Sequence, residues 1–425
     1  MIKISTIAKL SAATLLSTCV SMANAGERVS DFSLVDAKGR FFQLSRHANQ
    51  NAVVVLAQDG SRDIRKAAKD IASLAAQFEG QRVEFVMLDS TGNADKAALL
   101  QAAEKAGIEL RVLIDDTQLV AEELGLTRAL EVAILDPKAK ELVYRGALND
   151  RFAEGKKARR ASEHYVADAL TALIADQEIA APVFTSNGEA IDFSAKSAQI
   201  AAVSYANDVA PILEQRCVTC HQEGGIAPFA MSSHQMVQGW SPMIRETLIT
   251  KRMPPGQIDG HIGEFINDML IEDQEVRNII AWVEAGAPKD DANDPLAELT
   301  WPETKWAFGE PDYIIKVPPQ SVPATGVVDY RDVAVLIDIP EDRWLRGSQY
   351  IAGDRTVLHH TINRLDFPGE TRGGFLGSGN PDKASITAYI PGATPQLNPP
   401  NTGGLLKAGS VLNLNLHYTT TSREA

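Results

Sequence analysis

The stretch "RCVTCHQEGGIAPFA", from Arg216 to Ala230, constrains this chain more than any other. It carries Cys217, Cys220 and His221, and the whole chain of 425 residues has only 3 cysteines. The third, Cys19, lies in an opening segment built like an export signal. In "MIKISTIAKLSAATLLSTCVSMANA", Lys3 and Lys9 precede an apolar run, and Ala23-Asn24-Ala25 offers a small-residue cleavage site. Residues 1–25 are therefore expected to be a signal peptide, and the mature chain to be periplasmic or secreted. An uncleaved anchor is the competing reading, although the apolar run is short for a bilayer span. No later segment is apolar enough to cross a membrane. A hydrophobic content of 44% in a chain of this length supports two or three cores. The net charge of −14 argues against nucleic acid and anionic lipid as partners and leaves room for a basic redox partner protein.

Once the leader is removed, both remaining cysteines stand in a single C-x-x-C-H, the attachment pattern of c-type haem. Cysteines three apart are expected on adjacent turns of one helical face, where both sulfurs reach the haem vinyl groups. His221 then follows as the proximal iron ligand. The competing readings are a redox-active dithiol, a structural disulfide and half of a zinc site. Zinc calls for further thiol or histidine ligands near by, and a redox dithiol does not need the histidine. For the second axial position "ETLITKRMPPGQ" offers Met253, with Pro254 and Pro255 ending the helix before it and holding the loop. Met231, Met236, Met243 and His261 compete for that role. "SSHQMVQGWSPMIRETLI" reads as a helix. So does "IEDQEVRNIIAWVEAGAPKDD", with Val276, Ile279, Ile280 and Val283 on one side and Gly286 and Pro288 as its stop. Residues 204–295 thus make a small all-α unit. Its run "YANDVAPILEQRCVTCH…GGIAPF…RMPPG…IIAWVEAGAP" resembles a class I cytochrome c domain, which implies one covalent haem c.

Residues 26–180 alternate strand and helix. "NAVVVLAQ", "RVEFVMLDS" and "RVLIDD" read as strands, separated by the helices "IRKAAKDIASLAAQFEG" and "ADKAALLQAAEKAG". "QLVAEELG" is a further helix, "LEVAILDPKAKELVYRGAL" a hairpin and "SEHYVADALTALIAD" a closing helix. This order predicts a parallel core with an antiparallel hairpin at its edge. With "VSDFSLVDAKGRFFQLS" and "AILDPKAKELVYRGALNDRF" at its ends, the segment resembles the peroxiredoxin branch of the thioredoxin-like fold. That family places a reactive cysteine after the first core strand and a cis-proline before a later one. Here the loop reads "AQDGSRDIR", and Leu130 stands at the proline position. Without a thiol there is no thiol–disulfide exchange, so the unit is expected to be a redox-inactive scaffold or docking module. His47 and His164 read as surface or hydrogen-bonded histidines. Residues 181–203 read as a linker.

A proline-rich connector, residues 296–326, leads into short strands: "YRDVAVLIDIP", "RWLRGSQYIAG", "TVLHHTINRLD", "ASITAYIPG" and "SVLNLNLHYTTT". Their close spacing predicts an all-β sandwich, jelly-roll-like, over residues 327–425. His359 and His360 are adjacent, and His417 is far along the chain. Neighbouring side chains on a strand point to opposite faces, so the first two can share a metal only if the backbone bends. "VLHHTINRL" followed by "LNLNLHYTT" resembles the amino-terminal domain of the copper type II, ascorbate-dependent monooxygenases, the peptidylglycine and dopamine hydroxylase group. The resemblance implies one copper held by His359, His360 and His417. In that family a second β domain binds another copper, and no counterpart follows here, so the chain is expected to be a truncated form. The reading as a whole is an exported haem- and copper-binding oxidoreductase whose cytochrome domain passes electrons to a monooxygenase-type copper domain. The alternative is a non-catalytic electron-transfer or copper-binding protein.

Overall fold

The computed structural model describes residues 26–425 apart from 93–94, 157, 180–183, 194–202, 257, 260–261, 264, 266–268, 291–292, 302–305, 371–382, 393–394 and 396. The expected signal peptide, His261 and most of the expected 181–203 linker lie outside the described residues.

The most apolar run, "AVVVLAQ", becomes the strand β4 (Ala52–Gln58), buried along its whole length. A strand covered on both faces needs no alternation. Val53, Val55 and Ala57 enter one core and Ala52, Val54 and Leu56 another. β4 pairs in parallel with β5 (Val83–Asp89), and β5 in parallel with β6 (Arg111–Ile114). The hairpin β7 (Glu131–Asp136) and β8 (Glu141–Ala147) lies antiparallel on the other side of β4, and β1 (Glu27–Arg28) edges it. The parallel core with its edge hairpin is as expected. A second hairpin, β2 (Ser33–Asp36) and β3 (Phe41–Gln43), was not read as strands and extends the sheet beyond β6. The Asp36 carboxylate closes its turn by accepting the backbone N–H groups of Lys38 and Arg40. The helices α1 (Arg62–Gln77) and α4 (Tyr165–Ile174) cover one face. α2 (Lys96–Ala106) also packs there, capped by Asp95 and ended by Gly107 in the left-handed conformation.

The opposite face shares its core with the helical unit. Phe32, Leu88, Val120 and Leu124 belong to one apolar cluster with Tyr205, Leu213, Ile279 and Trp282. A wide single turn (Tyr205–Val209) runs into α5 (Ala210–Arg216), followed by α6 (His234–Ile249) and α7 (Asp273–Glu284). α3 (Leu119–Glu123), with the preceding Gln118, meets this unit through charge. Arg277 donates to Gln118 Oε1 at 2.8 Å, and Arg245 bridges Glu123 at 3.0 Å. The joint is therefore apolar inside and ionic at its margin.

The expected connector does not hang free. Leu296, Leu299 and Trp301 pack with the helical unit, and Ile315 and Val317 with the β unit. In the β unit β9 (Arg331–Leu336), β11 (Leu358–Asp366) and β13 (Val411–Tyr418) form an antiparallel sheet in the order β11-β13-β9. β10 (Arg343–Leu345) and β12 (Gly404–Leu406) form a second. Both line one core that includes Ile337, Leu365, Leu406 and Leu414. The described residues thus give a small two-sheet arrangement, short of a jelly roll. The expected strand in "ASITAYIPG" is the main departure. Lys383, just before it, bridges Leu405, and Tyr389 within it bridges Thr361, so the segment crosses from one sheet to the other and runs along neither.

Candidate functional site

α5 ends at Arg216, so Cys217 and Cys220 do not share a helical face as expected. Val218 is buried, and its N–H reaches back to Leu213 O, which closes the helix. The next residues form a tight turn in which Cys220 N–H and His221 N–H both donate to Cys217 O, at 3.1 and 3.0 Å. Drawing Val218 into the core takes the chain out of the helix, and the two cysteines and the histidine follow one another within a single turn. Both cysteines are free thiols. Burial, with a contribution from Cys220, pushes the Cys217 thiol up to about 12, and burial raises Cys220 as well.

His221 is buried, and its Nδ1 lies 3.0 Å from Phe229 O. A ring nitrogen so placed donates its proton to the carbonyl and leaves Nε2 as the lone-pair nitrogen, the arrangement that orients a metal-ligating imidazole. Burial holds the His221 pKa below its ordinary value, which keeps the ring neutral. Phe229 contacts the His221 ring at 4.6 Å and stacks on Trp240 at 4.5 Å. Trp240 belongs to a stripe on α6, Met236, Trp240 and Met243, that is 39%, 37% and 44% exposed. An exposed apolar stripe beside a neutral, oriented imidazole fits the flat apolar face of a haem. Met253 stands beyond α6 and is 39% exposed. Among its expected competitors Met231 is buried, and its N–H donates to His221 O at 2.7 Å.

His359, His360 and His417 come together, each offering a ring nitrogen, and these nitrogens lie within 4.8 Å of one another. The obstacle seen in the sequence is removed by the backbone. The register of β11 on β13 shifts between Leu358, opposite Tyr418, and His360, opposite His417. His359 is the extra residue of that bulge, and a bulge bends its strand and re-aims its side chains. His359 Nδ1 and His360 Nδ1 are 2.8 Å apart. With metal–nitrogen bonds of about 2.0–2.1 Å, two ligands across one ion lie at most about 4.1 Å apart, so the loosest pair needs to close by less than about 1 Å. His417 Nδ1 is buried without a hydrogen-bond partner, a state that a bound ion would relieve. Burial and the neighbouring histidines hold His359 and His360 below the ordinary histidine pKa, so both rings are neutral and able to ligate. Tyr330, not singled out from sequence, stacks on His417 at 4.5 Å and 16°. Only the cross-strand register, with Leu416 opposite Arg331, brings Tyr330 to that place.

In the sheet unit the positions expected to have lost their chemistry hold structural groups. Ser61 caps α1 by accepting Asp63 N–H, and Gln58 accepts Gly60 N–H while donating to Asp89. Leu130 is fully buried with φ of 66°, and its N–H donates to Ala57 O at 2.8 Å. His164 is exposed, as expected, whereas His47 is half-buried and stacks on Phe42. Residues 25–147 match the AhpC/TSA family. That part of the chain is a thioredoxin-like domain. Among solved structures, a hypothetical protein from Sinorhizobium meliloti 1021 is 22% identical, with 39% of this chain and 92% of that chain covered and a TM-score of 0.36. An uncharacterized conserved protein from Geobacillus kaustophilus is 20% identical, over 41% of this chain and 94% of that one, with a TM-score of 0.35. The peroxidoxin BcpB from Mycobacterium tuberculosis is 24% identical, over 29% and 84%, with a TM-score of 0.25. No curated protein matches the chain. Among the described residues no helix is long and apolar enough to cross a membrane.

Proposed function

We propose that this chain is an exported one-electron redox protein. Cys217 and Cys220 would attach a c-type haem, His221 and Met253 would ligate its iron, and His359, His360 and His417 would hold a copper ion. Bound haem and copper supply one-electron redox chemistry, and imidazole donors suit copper in both of its common oxidation states. The chain's own work is positional. His221 keeps its proton on Nδ1 through Phe229, Trp240 and its neighbouring methionines shield one side from water, and the β11 bulge gathers three neutral imidazoles. The observation that carries the reading is the convergence of His359, His360 and His417 around the unpartnered His417 Nδ1.

The thioredoxin-like domain acts in this reading as a scaffold without thiol chemistry, clamped to the helical unit by Arg245 and Arg277. The wider activity we propose is that of a copper monooxygenase-type oxidoreductase that takes its electrons from its own haem unit. A non-catalytic electron-transfer or copper-binding protein is the second reading, favoured by the described residues offering a single three-ligand cluster. The test is protein matured in a haem-attaching periplasm, with haem and copper measured per chain. One covalent haem and one copper lost in His417→Ala support the proposal. Free thiols at Cys217 and Cys220, or copper retained in that variant, overturn it. Oxygen consumption driven by a small reductant separates the catalytic reading from the carrier reading.

A further inference from the structure

Tyr330 stands one residue before β9. The pairing of β9 with β13 runs from Leu336 opposite Val411 to Arg331 opposite Leu416, so one further step of the same register sets Tyr330 against His417. The start of β9 is pinned there. Arg331 donates to Ser321 O at 2.7 Å, and its guanidinium lies over the Tyr418 ring at 5.5 Å. The Tyr330 ring then lies nearly flat on His417, with centroids 4.5 Å apart and planes 16° apart. The other two imidazoles meet His417 differently. His359 and His360 are each inclined at 65° to it, at 5.0 and 4.8 Å. Tyr330 also reaches His360, at 5.8 Å. Its side chain is 55% exposed, so little of the β unit's core depends on it.

The torsion that turns an imidazole about its Cβ–Cγ bond is broad, so a histidine does not fix its own ring plane. His417 nevertheless keeps Nδ1 buried without a hydrogen-bond partner. An unsatisfied buried polar atom is costly, and a free ring would relieve the cost by turning Nδ1 toward water. A second ring lying flat on the first obstructs that rotation. We infer that Tyr330 is a positioning residue for the triad, whose stack locks the plane of the His417 imidazole and so preorganises the three rings before any ion arrives. The inference rests on the metal site of the proposed function. A ligand already held in place does not have to be ordered on binding, so the lock is read as affinity.

The test uses full-length, haem-matured protein with Tyr330→Leu, which stays apolar but has no ring, and Tyr330→Phe, which keeps the ring. Competition titrations with Zn(II) and with Cu(II) read affinity, calorimetry reads apo stability, and nitrogen NMR of the apo imidazoles reads the His417 tautomer. The worth of an aromatic pair predicts that both metals bind about 2- to 12-fold more weakly to Tyr330→Leu, while Tyr330→Phe stays within about twofold of wild type. The apo melting temperature should hold in both. His417 should show one tautomer in wild type and Tyr330→Phe, because a buried Nδ1–H would lack an acceptor, and a mixture in Tyr330→Leu. Wild-type affinity in Tyr330→Leu overturns the inference. An equal loss in Tyr330→Phe also overturns it, because the effect would then belong to the hydroxyl. If Tyr330→Leu lowers the apo melting temperature, the tautomer decides: a single form in that variant overturns the inference and a mixture upholds it. Absence of binding in wild type, or binding that His417→Ala leaves unchanged, overturns the metal reading instead. The tautomer comparison then decides the positioning role by the same rule.

Discussion

His417→Ala tests whether the triad is a metal site or a chance cluster, and the structure sets the size of the effect. In the wild type, metal at a hundred times its dissociation constant adds about 2.7 kcal/mol to whatever unfolds with the site. The β unit is about 100 residues, for which 1 kcal/mol shifts the midpoint by about 4–8 °C, so Cu(II) or Zn(II) should raise its melting temperature by about 10–20 °C. Loss of one ligand lowers affinity by at least the about 10- to 100-fold known for weaker perturbations around metal sites. At the same free metal the stabilisation then falls to about 0.4–1.4 kcal/mol. The assay is calorimetry of apo and metal-loaded protein, wild type and variant. His359→Gln, at the exposed residue of the bulge, is the second variant if His417→Ala folds poorly. The pH dependence carries a sign. His359 and His360 have folded pKa values below the unfolded value of about 6.5. Their neutral form is therefore retained as pH falls below that value, and both the apo stability they contribute and metal binding are lost as pH drops further through the folded values. Equal metal-induced shifts in wild type and both variants would refute the argument.

Covalent attachment predicts a c-type absorbance spectrum that survives acid–acetone extraction, abolished when Cys217 and Cys220 are both changed to Ser. Met253→Ala should remove the sulfur–iron charge-transfer band and lower the haem potential, because a thioether ligand raises it; an unchanged spectrum moves the role to another residue. In the thioredoxin-like domain burial pushes Asp115 up to about 7. Between pH 4 and 7 the native state then binds a proton that the unfolded chain has lost, so the denaturant midpoint should fall as pH rises through that window and Asp115→Asn should flatten the slope. Arg277→Met removes the buried partner of Gln118 and Glu122. It should cost about 3–5 kcal/mol and separate the unfolding of the thioredoxin-like and helical units, which denaturation followed at two probes would show.

Local pattern made much of this molecule legible. The β4 run, the capped helices and the helix around Ile279 and Ile280 follow from periodicity and capping residues that lie close together in the chain, so neighbours alone decide them. The C-x-x-C-H spacing likewise singles out Cys217, Cys220 and His221 as a candidate group without any tertiary information. What lies between distant segments was not legible. A strand pattern says which face a residue takes but not which partner it meets, so His359 and His360 read as pointing apart until the pairing of β11 with β13 set a bulge between them. The same register puts Tyr330 on His417. The Gln118–Arg277 contact joins residues 159 positions apart, and burying those charged and polar groups depends on two units packing together. Composition and spacing therefore determined which groups this chain carries. Tertiary pairing alone decided which of them meet, because cross-strand register and interdomain packing are set by long-range burial that no local period encodes.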